Sequence, residues 1–247
     1  MDRMLYVAMS GAKETLHAQT ATSNNLANAS TTGFLADLQQ FRSIPVYGEG
    51  KPTRVYALSE RPATDFKHGS VQMTGRDLDV AVAGDGWLTV QANDGSEAYT
   101  RRGDLQVDPN GLIKTGNGLP LMGDGGPIAI PPADKITIGA DGTISIVPQG
   151  GDPTQLAVVD RIKMVSPQYD QMEKGLDGLM RLKDGQPAPA DAAQRLIQGA
   201  LASSNVNTVN EMVNMIELQR KFEMQVKMMK AADEMANASA SLMRPGG

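Results

Sequence analysis

The sequence predicts an α+β protein in which a long helix at each end of the chain flanks a central, antiparallel β-rich region. Glycine and proline mark the boundaries: all but one of the 14 prolines lie between Pro45 and Pro189, and residues 207–244 contain neither residue type. Both residues interrupt helices and form turns. Charge divides in the same way, because residues 1–30 and 206–247 are each neutral and the net charge of −5 lies between them.

The first helix is predicted from Asp2 to about Asn28. Small and apolar side chains recur along it at intervals of three and four residues, with Gln19 on the same face between Leu16 and Ser23, which is the spacing of one helix face; they are Leu5, Met9, Ala12, Leu16, Ser23 and Leu26. A lone helix with such a narrow stripe buries too little surface to be stable in water. The pattern therefore predicts a partner helix.

The second helix is predicted from Asn207 or Thr208, either of which can cap it, to about Leu242. Glu211 follows Thr208 by three residues, which fits a capping box. The apolar face is wide, and it includes Val209, Met212, Val213, Ile216, Phe222 and Val226. The two helices could close one domain as a hairpin. A methionine-rich, uncharged face this wide favours instead a coiled-coil surface that meets other chains.

Short β-strands separated by glycine-containing turns are predicted over residues 66–200. The segment Gly139–Gly142 between two alternating apolar runs is typical of a hairpin. The strand spacing favours an antiparallel sandwich or an open barrel. Residues 34–65 contain three prolines and only weak alternation, so they are predicted to form an extended, partly paired connector.

The composition excludes several classes of function. With 23 basic and 28 acidic residues, the chain has no basic face for nucleic acid. It contains no cysteine and no apolar run long enough to span a membrane, so we expect neither a thiolate site nor membrane insertion. His17 and His68 lie in different regions with no other ligand nearby, and no catalytic, metal or cofactor motif is present.

Three blocks of the sequence carry a family resemblance. Residues 24–34 read "NNLANASTTGF", residues 75–111 begin "GRDLDVAVAGDGWLTVQ", and residues 204–224 begin "SNVNTVNEMVNMI". In this order they closely resemble the signatures of the bacterial flagellar rod and hook proteins. The opening "MDRMLYVAMSGA", the central "DGWLTVQ" and the chain length resemble those of the proximal rod member. Leu35 departs from the family pattern, which more often has a polar or basic residue there.

The resemblance implies a structural subunit and not an enzyme, with no cofactor. Residues 1–33 and 201–247 would form a coiled-coil inner domain around a central channel, residues 34–65 a connector, and residues 66–200 an outer β-rich domain. It also implies export through the flagellar type III apparatus without a cleaved signal, a periplasmic basal-body location, and partners that are copies of this chain and other rod proteins. A distal rod subunit, or a β-domain carbohydrate-active enzyme, stays open as an alternative.

An assembly interface is expected on both helices and on the motif between Asn24 and Phe34. Asn24, Asn25 and Asn28 would hydrogen-bond neighbouring backbones, Gly33 would permit a sharp exit from the helix, and Phe34 would pin the connector. We expect Asn25→Leu to leave the monomer folded and to impair assembly. The full set of expected interface residues is Leu5, Met9, Ala12, Leu16, Asn24, Asn25, Leu26, Asn28, Thr32, Gly33, Phe34, Asn205, Val209, Met212, Val213, Ile216, Phe222 and Val226.

Overall fold

Two long helices begin and end the described part of the chain. The computed structural model describes residues 3–39, 41–45, 55–59, 63–150 and 156–242. Helix α1 spans Arg3–Ala27 and helix α2 spans Thr208–Leu242, with short antiparallel strands between them. The predicted α+β class is confirmed; the expected first helical residue, Asp2, lies outside the described residues.

The chain divides into two compact units. The helical unit comprises Met1–Ala29, Ala36–Asp65 and Val206–Gly247, and the β unit comprises Ser30–Leu35 and Phe66–Asn205. The chain thus leaves and re-enters each unit, so each is built from segments far apart in the sequence.

The helical unit pairs α1 with α2 in antiparallel directions. Asn25, near the end of α1, hydrogen-bonds Glu211 at the start of α2, while Gly11 contacts Gln225 further along α2. Two short antiparallel ladders complete the unit: β1 (Asp37–Leu38) pairs with β4 (Ala63–Thr64), and β2 (Phe41–Pro45) pairs with β3 (Val55–Ser59).

The face of α1 that packs inside the helical unit carries small side chains; its buried members are Ala8, Ala12, Thr15, Ala18, Thr22 and Asn25. We call these residues the inner seam. The predicted stripe coincides with it only in part, because Leu5, Met9 and Leu16 are exposed. The lack of a side chain at Gly11 leaves room for a side chain of α2: a Cβ added to Gly11 would lie 2.8 Å from Nε2 of Gln225.

The β unit contains sixteen strands in the described residues, all short and antiparallel. They are β5 (Val71–Met73), β6 (Val80–Ala83), β7 (Trp87–Gln91), β8 (Glu97–Thr100), β9 (Leu105–Val107), β10 (Ile113–Thr115), β11 (Met122–Gly123), β12 (Gly126–Pro127), β13 (Ala133–Ile138), β14 (Thr143–Pro148), β15 (Ala157–Arg161), β16 (Met164–Val165), β17 (Met172–Lys174), β18 (Met180–Leu182), β19 (Arg195–Gln198) and β20 (Ala200–Ala202).

These strands form a five-stranded sheet in the order β16-β7-β8-β18-β17, a three-stranded sheet β13-β14-β15, and four two-stranded ladders. The ladders are β9 with β10, β11 with β12, β6 with β19, and β5 with β20. A core of valine, leucine and isoleucine side chains from many of these strands joins the small sheets into one body.

Local turn signals have two different outcomes in the β unit. The Gly139–Gly142 hairpin is confirmed, because β13 pairs with β14 from Ile138↔Ile144 onward and Gly142 has a φ of +86°. In contrast, the strands on either side of the turn segment Ala83–Gly86 ("AGDG") lie in different sheets: β6 pairs with β19, whereas β7 pairs with β8 and β16.

Candidate assembly surface

The side chain of Asn25 hydrogen-bonds the backbone of Asp37 and so holds the segment that follows α1 against the helix. Its side-chain Oδ1 accepts the backbone N–H of Asp37 at 2.8 Å, and its Nδ2 donates to the carbonyl of the same residue at 2.9 Å. Nδ2 also lies 3.4 Å from Oε1 of Glu211 on α2. With 3% of its surface exposed, Asn25 uses its amide inside the helical unit.

The other two asparagines of the motif lie at the end of α1. Nδ2 of Asn28 donates to the carbonyl of Asn24 at 3.0 Å, which satisfies an acceptor of the last helical turn. Asn24 itself is exposed. Of the three, Asn24 is therefore the one whose side chain lies open at the surface.

Gly33 makes the turn that was predicted at the end of the motif. Its φ is +68°, and a Cβ at this position would lie 2.4 Å from the carbonyl carbon of Arg101. Its N–H donates to the carbonyl of Ala202 at 2.8 Å. Only glycine combines this backbone conformation with so close an approach.

Two of the sequence motifs meet inside the β unit. The N–H of Asn205 donates to the carbonyl of Phe34 at 3.3 Å, and Nδ2 of Asn205 donates to the carbonyl of Lys67 at 2.9 Å. The ammonium of Lys174 lies 4.2 Å from the centre of the Phe34 ring and donates to the carbonyl of Leu35 at 2.8 Å. Segments from the two ends of the chain are thus joined by backbone and amide hydrogen bonds.

Asn207 caps α2. Its Oδ1 accepts the N–H groups of Val209 and Asn210, both at 3.1 Å, as an N-cap residue does. Glu211 then lies one position beyond the place of the acidic residue in a capping box. The predicted capping box is therefore wrong, and the carboxylate of Glu211 is turned toward Asn25.

Large apolar side chains remain exposed on both helices. On α1 they include Leu5, Met9 and Leu16, which we call the α1 stripe; they are 41%, 53% and 47% exposed. On α2 a second surface, the α2 patch, consists of Val209, Met212, Val213 and Ile216, which lie on one helix face because they are three or four residues apart. Every side chain of the patch is at least half exposed. Contiguous exposed apolar groups of this kind mark interaction surfaces.

The structure distributes the predicted interface residues among three environments. Those exposed are Leu5, Met9, Leu16, Asn24, Val209, Met212, Val213 and Ile216. Those half-buried are Leu26, Asn28, Thr32, Gly33, Phe34, Asn205, Phe222 and Val226. Ala12 and Asn25 are buried. Their place in an interface between chains stays a prediction.

The β unit has a cleft of about 260 Å³. Its walls are mostly apolar or glycine, and the lining residues are Gly33, Leu35, His68, Gly69, Val71, Val82, Ala83, Gly84, Arg101, Ile197, Ala202 and Ser203. None of these described lining residues is a carboxylate. The cleft therefore has no pair of carboxylates among its described lining residues, and a glycosidase needs such a pair.

An aromatic cluster lies close to this cleft. Phe66 stacks on Tyr169 with ring centres 4.5 Å apart and meets the edge of Trp87 at 6.3 Å, while the guanidinium of Arg101 lies 5.7 Å from the Trp87 ring centre. Sequence reasoning missed Arg101, because nothing in its neighbourhood "YTRRGD" distinguishes a buried arginine from an exposed one.

Among the described residues, no group of three or more His, Cys, Asp or Glu side chains is placed to hold a metal ion. Within the same part of the chain, neither helix is apolar enough along its length to cross a membrane.

Comparison with known proteins decides the family. Three family models match: flagella basal body rod protein over residues 5–34, flagellar hook protein FlgE/F/G D1 domain over 81–146, and flagellar basal body rod FlgEFG protein C-terminal over 197–242. The chain is 43% identical to the flagellar basal-body rod protein FlgF of Escherichia coli (strain K12), over 98% of this chain and 99% of that one. The chain belongs to the FlgF family of flagellar basal-body rod proteins.

Further relatives support the same assignment. The FlgF protein of Salmonella typhimurium is 44% identical over 95% of both chains, and that of Caulobacter vibrioides is 36% identical over 97% of both. A relative named FlgG, from Buchnera aphidicola, is 32% identical over 89% of this chain, so the alternative of a distal rod subunit fits less well. Because the FlgF family is structural, the enzyme alternative is set aside.

Proposed function

We propose that this member of the FlgF family, a structural subunit of the proximal rod, joins its neighbours through the α1 stripe and the α2 patch. The observation that carries this proposal is the exposure of the two surfaces. The inner seam already supplies the contact between α1 and α2, so the larger apolar side chains outside it are not needed to hold the pair together.

The two surfaces suit contacts that repeat from subunit to subunit. The α1 stripe lies in the N-terminal half of α1, whereas the α2 patch lies beside the opposite end of α1, because the helices are antiparallel. A stripe on one copy that meets a patch on the next makes a head-to-tail contact, which propagates into a helical assembly when it does not close. The neutral charge of both terminal segments lets many helices pack without repulsion.

The far end of α2 offers a further surface. Every side chain from Asp233 to Ser241 is exposed. A segment of about two and a half helical turns with no burial in the monomer gains stability only when it packs on something else. In a member of a rod family, the neighbouring rod subunits are the partners against which this segment would become buried.

Export and location belong to the same proposal. A rod subunit must reach the periplasmic side of the inner membrane, and the resemblance to the axial proteins supports passage through the flagellar type III apparatus without cleavage of a signal. Intact mass measurement of the chain recovered from basal bodies tests this, since a shortened N-terminus would contradict it.

The assembly surface is tested by charging the α2 patch. Ile216→Glu places a carboxylate on the patch, where burial against apolar groups in an interface costs several kcal/mol. We expect a normal helical circular-dichroism spectrum for the purified chain and at least a tenfold loss of the subunit from isolated basal bodies.

Asn214→Glu is the matched control, because it adds the same charge at an exposed position that lies two residues from Ile216 and therefore on the other side of the same helix. It should leave incorporation close to that of the unaltered chain. Normal incorporation of Ile216→Glu, or equal losses for the two variants, would show that the patch is not an assembly surface.

A further inference from the structure

The cleft of the β unit holds a buried cation that has no carboxylate partner in the described part of the chain. Arg101 lines the cleft and is 5% exposed. Its Nη2 donates to the carbonyl of Gly84, but Nε and Nη1 are buried and have no hydrogen-bond partner among the described residues. Burial lowers the pKa of Arg101 from its ordinary value, as expected for a charge removed from water.

Nearby groups compensate this charge only in part. The face of Trp87, 5.7 Å from the guanidinium carbon, attracts the cation but accepts no conventional hydrogen bond. At the rim, Asp85 is engaged by Nε2 of His68 at 2.7 Å, and its side chain is 68% exposed. Arg101 therefore keeps one unpaired donor on each of its two edges, and each edge forms a fork for a planar acceptor together with Nη2.

We propose that this cleft receives a glutamate or aspartate side chain of a neighbouring protein chain, with Arg101 as its ion-pair partner. A carboxylate is the acceptor that matches the planar fork of a guanidinium, and the match is strongest away from water. A carboxylate that binds through both oxygens takes Nη2 together with Nε or Nη1, so it replaces the carbonyl of Gly84 as the acceptor of Nη2.

The size and lining of the cleft point to a protein segment as the occupant. Its volume of about 260 Å³ is smaller than the roughly 300–1,000 Å³ of typical small-molecule sites. Its walls include the half-exposed Val71 and the partly exposed Ile197, which can pack against the aliphatic part of an acidic side chain and its apolar neighbours. Charge complementarity thus selects an acidic residue with apolar flanks.

That the neighbouring chain is an axial subunit of the rod rests on the proposed function. The binding chemistry itself does not, because it depends only on residues of the β unit. The two can be tested separately, first on the purified full-length chain and then in assembled basal bodies.

Fluorescence of the purified chain tests the chemistry, because Trp87 is the only tryptophan in the sequence and lies against Arg101. The probe is the tripeptide acetyl-Leu-Glu-Leu-amide, and its neutral match is acetyl-Leu-Gln-Leu-amide. We expect a saturable change in Trp87 emission with the glutamate peptide and at least tenfold weaker binding of the glutamine peptide. No change, or equal binding of both peptides, would overturn the proposal.

Two substitutions assign the effect to the cleft. Arg101→Gln should abolish the preference for the glutamate peptide. Because this variant could also lose stability, Ile197→Glu provides a second approach: it adds a carboxylate to the cleft wall at a position that is 37% exposed. Compared with Ile197→Gln, it should unfold at a higher temperature and no longer bind the glutamate peptide. Equal melting temperatures together with unchanged peptide binding would contradict the ion pair.

Crosslinking identifies the source of the carboxylate. A photoreactive phenylalanine at Val71, on the wall of the cleft, should crosslink in basal bodies to a segment of another chain that contains Asp or Glu. A crosslink that forms only within the same chain would overturn the protein-partner part of the proposal. Normal rod incorporation of Ile216→Glu would contradict the proposed function alone, so the two failures are distinguishable.

Discussion

Substitution of Asn25 by leucine should loosen the segment that follows α1. The side chain makes two hydrogen bonds to the backbone of Asp37, at 2.8 and 2.9 Å, from a position that is 3% exposed. Each bond contributes about 0.5–1.5 kcal/mol, so the loss of both amounts to about 1–3 kcal/mol. Leucine has a similar volume and fills the space, which keeps the cavity term small.

Amide hydrogen exchange of the full-length chain measures this loss at the affected site. A local destabilisation of about 1–3 kcal/mol accelerates exchange of the Asp37 amide by roughly 5- to 150-fold, provided that exchange proceeds through local opening. Asn24→Leu is the matched control, since Asn24 is exposed and adjacent, and it should change the rate less than about threefold.

Asn25→Asp adds a graded comparison. The carboxylate can still accept the Asp37 N–H, but it loses the donor to the Asp37 carbonyl and faces Glu211, whose Oε1 lies 3.4 Å from the present Nδ2. Its effect should therefore exceed that of the control. Equal exchange rates at Asp37 in Asn25→Leu and Asn24→Leu would refute the reasoning. The further expectation, that Asn25→Leu impairs rod assembly, is checked in basal bodies.

Three other changes have expected outcomes. Gly33→Ala should destabilise the β unit by more than about 2 kcal/mol in thermal unfolding, because φ is +68° and the new Cβ meets the backbone of Arg101; a change below about 0.5 kcal/mol would contradict this. Asn207→Ala should cost about 1 kcal/mol at the start of α2, seen as faster exchange of the Asn210 amide, and unchanged exchange would argue against the cap. Burial raises the pKa of Tyr99 to about 12 from 10, so the neutral phenol contributes stability that is present below pH 10 and is lost as pH rises toward 12. In urea unfolding, the free energy of unfolding should fall between pH 10 and pH 12 by about 2–3 kcal/mol less in Tyr99→Phe than in the unaltered chain. Identical pH dependence in the two proteins would refute the assignment.

The helices could be predicted because their signals are local. The observed start of α2 at Thr208 follows from a capping asparagine, and its course through to Leu242, the last described residue, follows from a sequence without glycine or proline. The Gly33 turn was also predictable, since glycine is the residue that most readily adopts positive φ in a turn. In each case the residues that decide the structure lie within a few positions of one another.

The orientation of α1 was harder to predict, because two faces of the helix compete. Leu5, Met9 and Leu16 form the more apolar stripe, yet α1 buries the small side chains of the inner seam. The fit of α2 side chains against small residues of α1, such as Gln225 against Gly11, decides which face is buried, and the periodicity of apolar residues does not measure that fit. The same holds for Asn25, whose partner Asp37 is twelve residues away.

By itself, the sequence determined the element types, the positions of the end helices and, through three motif blocks, the family. These properties depend on local backbone preference and on residue patterns that can be read in order along the chain. The tertiary structure alone decided that the strands on either side of the "AGDG" turn pair with other strands, which face of α1 is buried, and that Arg101 is a buried cation beside Trp87. The physical reason is that pairing, burial and desolvation are set by residues far apart in sequence, which become neighbours only when the chain has folded.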